Sequence, residues 1–169
     1  SDNMVGQGSA WKGYSELASG LATPLSGGIT DWKFNYGLGA ISKVNTMLGV
    51  MADVDFGAEG SAKWEAELKY LRGFLYADMA FLYGGMPLIT ETITSEEADA
   101  LARSSQAETY ALAISDLTFA AANLGDTPNA GEFGRPTKMA AQAALGFAYL
   151  NQKDYANAKS AFSNIISQE

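Results

Sequence analysis

The stretch Gln142-Ala143-Ala144-Leu145-Gly146-Phe147-Ala148-Tyr149, followed after Asp154 by Ala158-Lys159-Ser160-Ala161-Phe162, decides the fold class. Leu145, Gly146 and Tyr149 fall on one face of a first helix, and Ala158 and Phe162 fall one turn apart on a second. Packing explains the residue types. Gly146 lets two helices approach, Tyr149 and Phe162 fill the wedge between them, and Ala158 fits where a larger side chain would clash. A pair of this kind cannot bury its own apolar face, because stacked neighbours supply the core. The helices upstream are therefore expected to stack on it.

The spacing is the tetratricopeptide pattern W-x2-L-G-x2-Y…A-x3-F, with Gln142 standing where the pattern has Trp. A weaker echo is Gly73-x2-Tyr76. Glu169 comes directly after the apolar Ile165-Ile166 with no capping repeat, so the reading expects the front part of a longer protein.

Working outward from this pair, Thr137 caps its first helix and Asp154 its second. Residues 125–136 read as a loop. Upstream of it, Ser105-x-x-Glu108 is a capping box opening a helix whose buried face is Tyr110, Ile114, Leu117, Ala121 and Leu124. Residues 86–104 hold a short extended piece, Pro87-Leu88-Ile89-Thr90, and an acidic stretch through Glu96, Glu97 and Asp99. A long helix is expected from near Ser61 to Tyr83, with Trp64, Leu68, Leu71, Leu75, Met79 and Leu82 on one face. Phe74, Phe81 and Tyr70 thicken that face until most of the girth is apolar, so the helix is expected to lie inside a larger body. Gly84-Gly85 and Pro87 end it.

Residues 53–60 read as a turn. Before it, Asp31 is expected to cap a helix carrying the stripe Phe34, Leu38, Ile41, Val44, Leu48 and Met51, with Gly37 and Gly39 as close helix–helix contacts. Residues 1–31 are rich in Gly and Ser and read as an irregular cap, with Trp11, Tyr14, Leu17 and Leu21 suited to one short helix. The expectation is an all-α chain of five main helices in tetratricopeptide-like pairs. A loop-rich N-terminal segment covers 1–31 and the helical domain 32–169.

Composition removes whole classes of function. The 169 residues carry 11 Lys+Arg against 19 Asp+Glu, a net charge of −8, with no His and no Cys. That charge repels phosphate backbones and anionic lipid, so no nucleic acid partner is expected. Without His or Cys there is no Ser-His-Asp triad, thiolate nucleophile, disulfide or His-ligated metal. No run reaches the ~18 apolar residues of a membrane span.

Several enzyme-like strings fail on their surroundings. Asp55-Phe56-Gly57 spells a kinase magnesium motif, but the catalytic-loop His is absent. Asp53-x-Asp55 hints at a calcium loop, yet Gly57 and Ala58 occupy the third-ligand and turn-glycine positions. Ser9-x-x-Lys12 and Ser1-Asp2-Asn3 spell two β-lactamase boxes, but in reversed order and with no Lys-Thr-Gly. The carboxylate pairs Glu65/Glu67 and Glu96/Glu97 read as solvated faces rather than a glycosidase dyad. No enzyme activity, cofactor or metal is expected.

One segment points to a family. Leu71-Arg72-Gly73-Phe74-Leu75-Tyr76-Ala77-Asp78-Met79, then Leu82-Tyr83-Gly84-Gly85-Met86-Pro87-Leu88-Ile89, resembles the signature of the SusD/RagB family of surface glycan-binding lipoproteins. The resemblance continues through Ile41 and Asn45, Arg103-Ser104, Glu108, Tyr110, Ile114-Ser115-Asp116-Leu117 and Gly134-Arg135-Pro136-Thr137. It covers nearly the whole chain but only the front portion of a usual member. The lipid-bearing Cys of the family is absent, so an anchor is implied only outside this chain.

What the resemblance implies is capture of oligosaccharides or polysaccharides at the cell surface, without chemistry. Import would follow through a SusC-type TonB-dependent transporter of the outer membrane. The alternative is a helical-repeat scaffold that docks a partner protein without binding glycan. Sugars offer apolar C–H faces to flat rings and hydroxyls to polar groups, so exposed aromatics are the candidates. Trp32 lies off the Phe34/Leu38/Ile41 stripe, with Asn35 beside it as an amide and Tyr36 one position further round. Packing of Trp32 against the 1–31 segment is the competing reading. Trp11 and Tyr14 are further glycan candidates. Trp64 is expected in the core, and Tyr76, Tyr149 and Phe162 are expected as repeat packing. Met47, Met51, Met79 and Met86 read as gap-fillers.

Overall fold

A computed structural model describes Gly20, Leu21, Thr23 and residues 29–51, 53–127 and 133–167, with the side chains at 29–31, 58 and 59 excepted. The chain divides into two compact units, Ser1–Gly39 and Ala40–Glu169. Among the described residues the regular structure is six helices and no strand. They are α1 (Ile29–Met51), α2 (Gly57–Tyr83), α3 (Ser95–Ala100), α4 (Gln106–Asn123), α5 (Lys138–Asn151) and α6 (Tyr155–Ile166). In the second unit α2 packs on α4, α4 on α5, and α5 on α6, with a lighter contact from α2 to α5. The architecture is the all-α, tetratricopeptide-like stack that the sequence predicts.

The deciding stretch folds as its spacing requires. A Cβ on Gly146 would overlap the Phe162 ring, so the helix pair closes only with glycine there. Ala158 is buried on α6, and Tyr149 packs half-buried against a cluster of Leu117, Ala144, Leu145 and Ala161. Phe147 meets Phe162 edge-on, ring centroids 5.6 Å apart. Thr137 caps α5 through the Ala140 amide, and Asp154 caps α6 through the Asn157 amide. Buried alanines, among them Ala66, Ala80, Ala113, Ala120, Ala141 and Ala148, bring the helices close.

Helix boundaries differ from expectation in three places. α1 begins at Ile29, so Asp31 sits in its first turn instead of capping it. α2 begins at Gly57, four residues before Ser61, where Asp55 Oδ1 accepts the Gly57 N–H at 2.8 Å. The acidic stretch contains the short α3, opened by a reciprocal capping box between Thr94 and Glu97. The Thr-x-x-Glu signal was present in the sequence.

The larger correction concerns which face of α2 is covered. The expected stripe splits: Leu68 and Met79 are buried, whereas Leu71 and Leu82 are exposed, together with Phe74 and Phe81. The buried arc runs instead through Ala66, Arg72, Gly73, Tyr76 and Ala80. Gly73 explains the choice. A Cβ there would lie 2.8 Å from the Ala113 carbonyl oxygen and 2.9 Å from Leu117 Cγ, so α4 crosses α2 at its smallest residue. Gly39, read as a similar contact, has no atom of the described residues within 4 Å of a Cβ. Met47, read as a gap-filler, is exposed, whereas Met79 and Met86 are buried.

Candidate functional site

The first turns of α1 carry the aromatic candidates. Trp32 and Tyr36 stand one turn apart and meet at ring centroids 4.8 Å apart, tilted by 50°. They are 58 % and 66 % exposed. Asn35, between them in sequence and on the same side of the helix, is exposed too. The two rings and the amide thus form one accessible patch, with flat apolar surface beside a group that can both donate and accept hydrogen bonds. Trp11 and Tyr14 lie outside the described residues.

Beneath the signature segment lies a buried polar clamp. Residues 87–90, expected to be extended, pair with no strand among the described residues, and together with Met86 they are held by side chains from three helices. The Arg72 guanidinium of α2 grips Asp116 of α4 through two bonds, Nε to Oδ2 at 2.7 Å and Nη2 to Oδ1 at 2.9 Å. Its Nη1 donates to Asn45 Oδ1 of α1 at 2.8 Å and to the Thr90 carbonyl at 3.0 Å. Asn45 Nδ2 then donates to the Ile89 carbonyl at 2.9 Å. Arg72, Asn45 and Asp116 are all buried.

Tyr76 completes the clamp. Its hydroxyl accepts the Ile89 amide at 2.7 Å and lies 3.2 Å from the Pro87 and Ile89 carbonyls. Burial pushes the phenol above its ordinary value, only partly offset by the Ile89 bond and the Arg72 charge, so it stays protonated. The expectation of plain repeat packing for Tyr76 therefore misses its hydroxyl. Met86 N–H donates to Thr109 Oγ1 at 3.0 Å, and Arg103 caps the end of α2 by donating to the Tyr83 and Gly85 carbonyls. Arg72, Gly73, Tyr76, Asp116 and Arg103, which carried the family resemblance, thus hold the fold together.

Trp64 is not wholly core. It forms part of the wall of an apolar cavity of about 500 Å³ between the C-terminal half of α1 and the N-terminal half of α2, alongside Met47, Val50, Phe56 and Leu71. The Arg135 guanidinium lies over its ring, 4.6 Å from the centroid, and bonds Glu67 Oε2 at 2.6 Å. Glu67 is buried, so its reading as a solvated carboxylate is corrected.

Of the other paired carboxylates, Glu65 and Glu97 are committed to local structure. Glu65 pairs with Lys69 at 2.8 Å. Glu97 accepts bonds from the Thr94 amide and hydroxyl, which hold its carboxyl below the usual range. A glycosidase acid needs the opposite shift. Among the described residues no three acidic side chains converge on a metal-sized site, and no helix is long and apolar enough to cross a membrane.

Comparison with known proteins places this architecture. A 31 % identical relative over 107 residues is SusD-like protein P2 of Formosa agariphila, with 62 % of this chain covering 20 % of that protein. A solved SusD-like carbohydrate-binding protein of Bacteroides fragilis superposes with a TM-score of 0.84 at 27 % identity, over 96 % of this chain and 31 % of that one. A laminarin-binding SusD-like protein matches the fold at 0.84 and 24 % identity, over 90 % of this chain and 33 % of that one. The chain therefore spans about a fifth of the curated relatives and a third of the solved ones. Residues 8–150 match the family described as starch-binding and associating with the outer membrane, and the chain belongs to this SusD-like family.

Proposed function

We propose that this chain is part of a non-catalytic surface protein that captures oligosaccharides or polysaccharides, with Trp32, Tyr36 and Asn35 contacting the glycan. The observation that carries the reading is the exposed ring pair at 4.8 Å, a solvent-facing aromatic surface within a family described as starch-binding. Stacking uses the rings, hydroxyl recognition uses the Asn35 amide, and no bond is made or broken. Import through a SusC-type TonB-dependent transporter, and attachment to the outer membrane by a lipid anchor outside these residues, complete the proposal.

Calorimetry against a panel of neutral polysaccharides tests it. Trp32→Ala and Asn35→Ala should each weaken binding by about 1–2 kcal/mol, or roughly ten-fold. Neither should change the helix content, because both positions lie off the apolar stripe. Unaltered affinity in both variants favours a helical-repeat scaffold that docks a partner protein without touching glycan. Unfolding of Trp32→Ala with normal binding by Asn35→Ala identifies Trp32 as a packing residue.

A further inference from the structure

Among the described helices, α1 is the only one that runs through the boundary between the two compact units, which falls between Gly39 and Ala40. Packing does not account for the glycine at that boundary. Gly39 is exposed, and a Cβ there would meet no atom of the described residues within 4 Å. At Gly73 and Gly146, by contrast, a Cβ would strike a neighbouring helix. Gly37, two residues earlier, is buried. Two glycines within one turn weaken the helix interior, because each gains backbone freedom when the turn opens. Sharp bends in helices gather at such residues.

Tethering changes at the same place. Beyond it, Ile41, Val44 and Asn45 are buried, and Asn45 is tied to Arg72 and to the Ile89 carbonyl. Before it, Trp32, Asn35 and Tyr36 are exposed. We infer that Gly37-Leu38-Gly39 is a flexible joint within α1, about which the ring-bearing turns bend while the Asn45 end stays clamped. Hinges of this kind are a few residues that absorb the change in φ and ψ. The use of the joint rests on the glycan reading above. Bending tilts the Trp32 and Tyr36 rings to meet sugar faces presented at different angles, so one patch serves both coiled and extended neutral glucans. Gly49 is an internal control: it is equally open and on the same helix, but it lies on the clamped side.

The test is hydrogen exchange on the full-length protein, with Gly39→Ala and Gly49→Ala beside the parent. The amides of residues 40–43 bond the carbonyls of residues 36–39, across the joint. After correction for intrinsic rates they should exchange about ten-fold faster than the amides of residues 45–48. Gly39→Ala should slow them about five-fold and leave 45–48 unchanged, whereas Gly49→Ala should not slow 40–43. Equal parent rates on both sides, or a slowing that spreads evenly along α1, overturns the joint. Calorimetry with a coiled α-glucan and an extended β-glucan reads its use. Gly39→Ala should shift the ratio of the two affinities by about three-fold or more, and Gly49→Ala should leave it as in the parent. An unchanged ratio in Gly39→Ala overturns the adjusting role. Binding of neither glucan by the parent fails the glycan reading instead, and the exchange rates still decide the joint.

Discussion

Removing the Asp116 carboxylate leaves the Arg72 guanidinium buried without its two-bonded partner. Breaking a buried ion pair from one side costs about 3–5 kcal/mol, so Asp116→Ala should lower the denaturation midpoint sharply. A urea titration checks this, and a loss under about 1 kcal/mol would place the pair in water. Gly146→Leu acts differently, by forcing side-chain volume into the Phe162 ring, and overpacking costs about 1–3 kcal/mol or more. A melting midpoint within a degree of the parent would dismiss the close crossing. Gly146 was legible in the sequence because its partners Tyr149, Ala158 and Phe162 stand within two helices of it. Asp116 was not legible by periodicity. It meets Arg72 across 44 residues of sequence, and hydrophobic spacing records only neighbours one or two turns away. Only the family resemblance marked both positions.

At the scale of elements, α4 carries the clearest start signal. Ser105 Oγ accepts the Glu108 amide at 3.2 Å, and the Glu108 carboxylate reaches back to the Ser105 amide at 2.8 Å. Loss of such a cap costs about 1 kcal/mol, so Ser105→Ala should lower stability by that order in a thermal melt. The same box gives a pH dependence. Bonds from the Ser105 hydroxyl and amide hold the Glu108 carboxyl below its ordinary value in the folded chain. Its contribution is therefore complete above the unfolded value and is lost as pH falls through the folded one. Glu108→Gln should remove that contribution, lowering stability at neutral pH and leaving it nearly unchanged below the folded value, so that the acid limb flattens, as melts across a pH series would record. Ser105-x-x-Glu108 was read correctly from sequence, whereas the equivalent Thr94-x-x-Glu97 was hidden by the lack of an apolar run behind it. The α2 face was misassigned for a related reason. Ranking by size selects Leu and Phe, but the α4 crossing selects the arc centred on Gly73, with Arg72 and Tyr76 beside it.

Across the whole molecule the net charge of −8 sets what the chain will approach. Neutral polysaccharides meet no long-range field, while uronate-bearing or sulfated ones are repelled over about 10 Å at 0.1 M salt. Affinity for a neutral glycan should stay nearly constant as salt is raised, whereas a polyanionic glycan should bind only as screening increases. A titration series at several ionic strengths separates the two, and tightest binding of the polyanion at low salt would mean that local cations, not the net field, govern the site. The all-α class, the helix order and the repeat pair were legible at this scale. Trp32 was legible as an off-stripe position, because helical arithmetic fixes direction, whereas its contact with the Tyr36 ring was not read from the sequence. The apolar cavity was not, since a gap between helices leaves no mark on either helix alone.

The clamp on residues 86–90 also fixes an order of events. Asn45, Arg72, Tyr76 and Asp116 come from three separate helices, and the segment holds no regular structure of its own. Its full set of bonds forms only once α1, α2 and α4 have met, so its closure is expected late in folding. Buried hydrogen-bonded amides exchange with solvent only when such contacts open. The Ile89 amide, tied to the Tyr76 hydroxyl, and the Met86 amide, tied to Thr109, are thus expected to exchange slowly although the stretch is irregular. Their exchange rates would time the opening of the clamp.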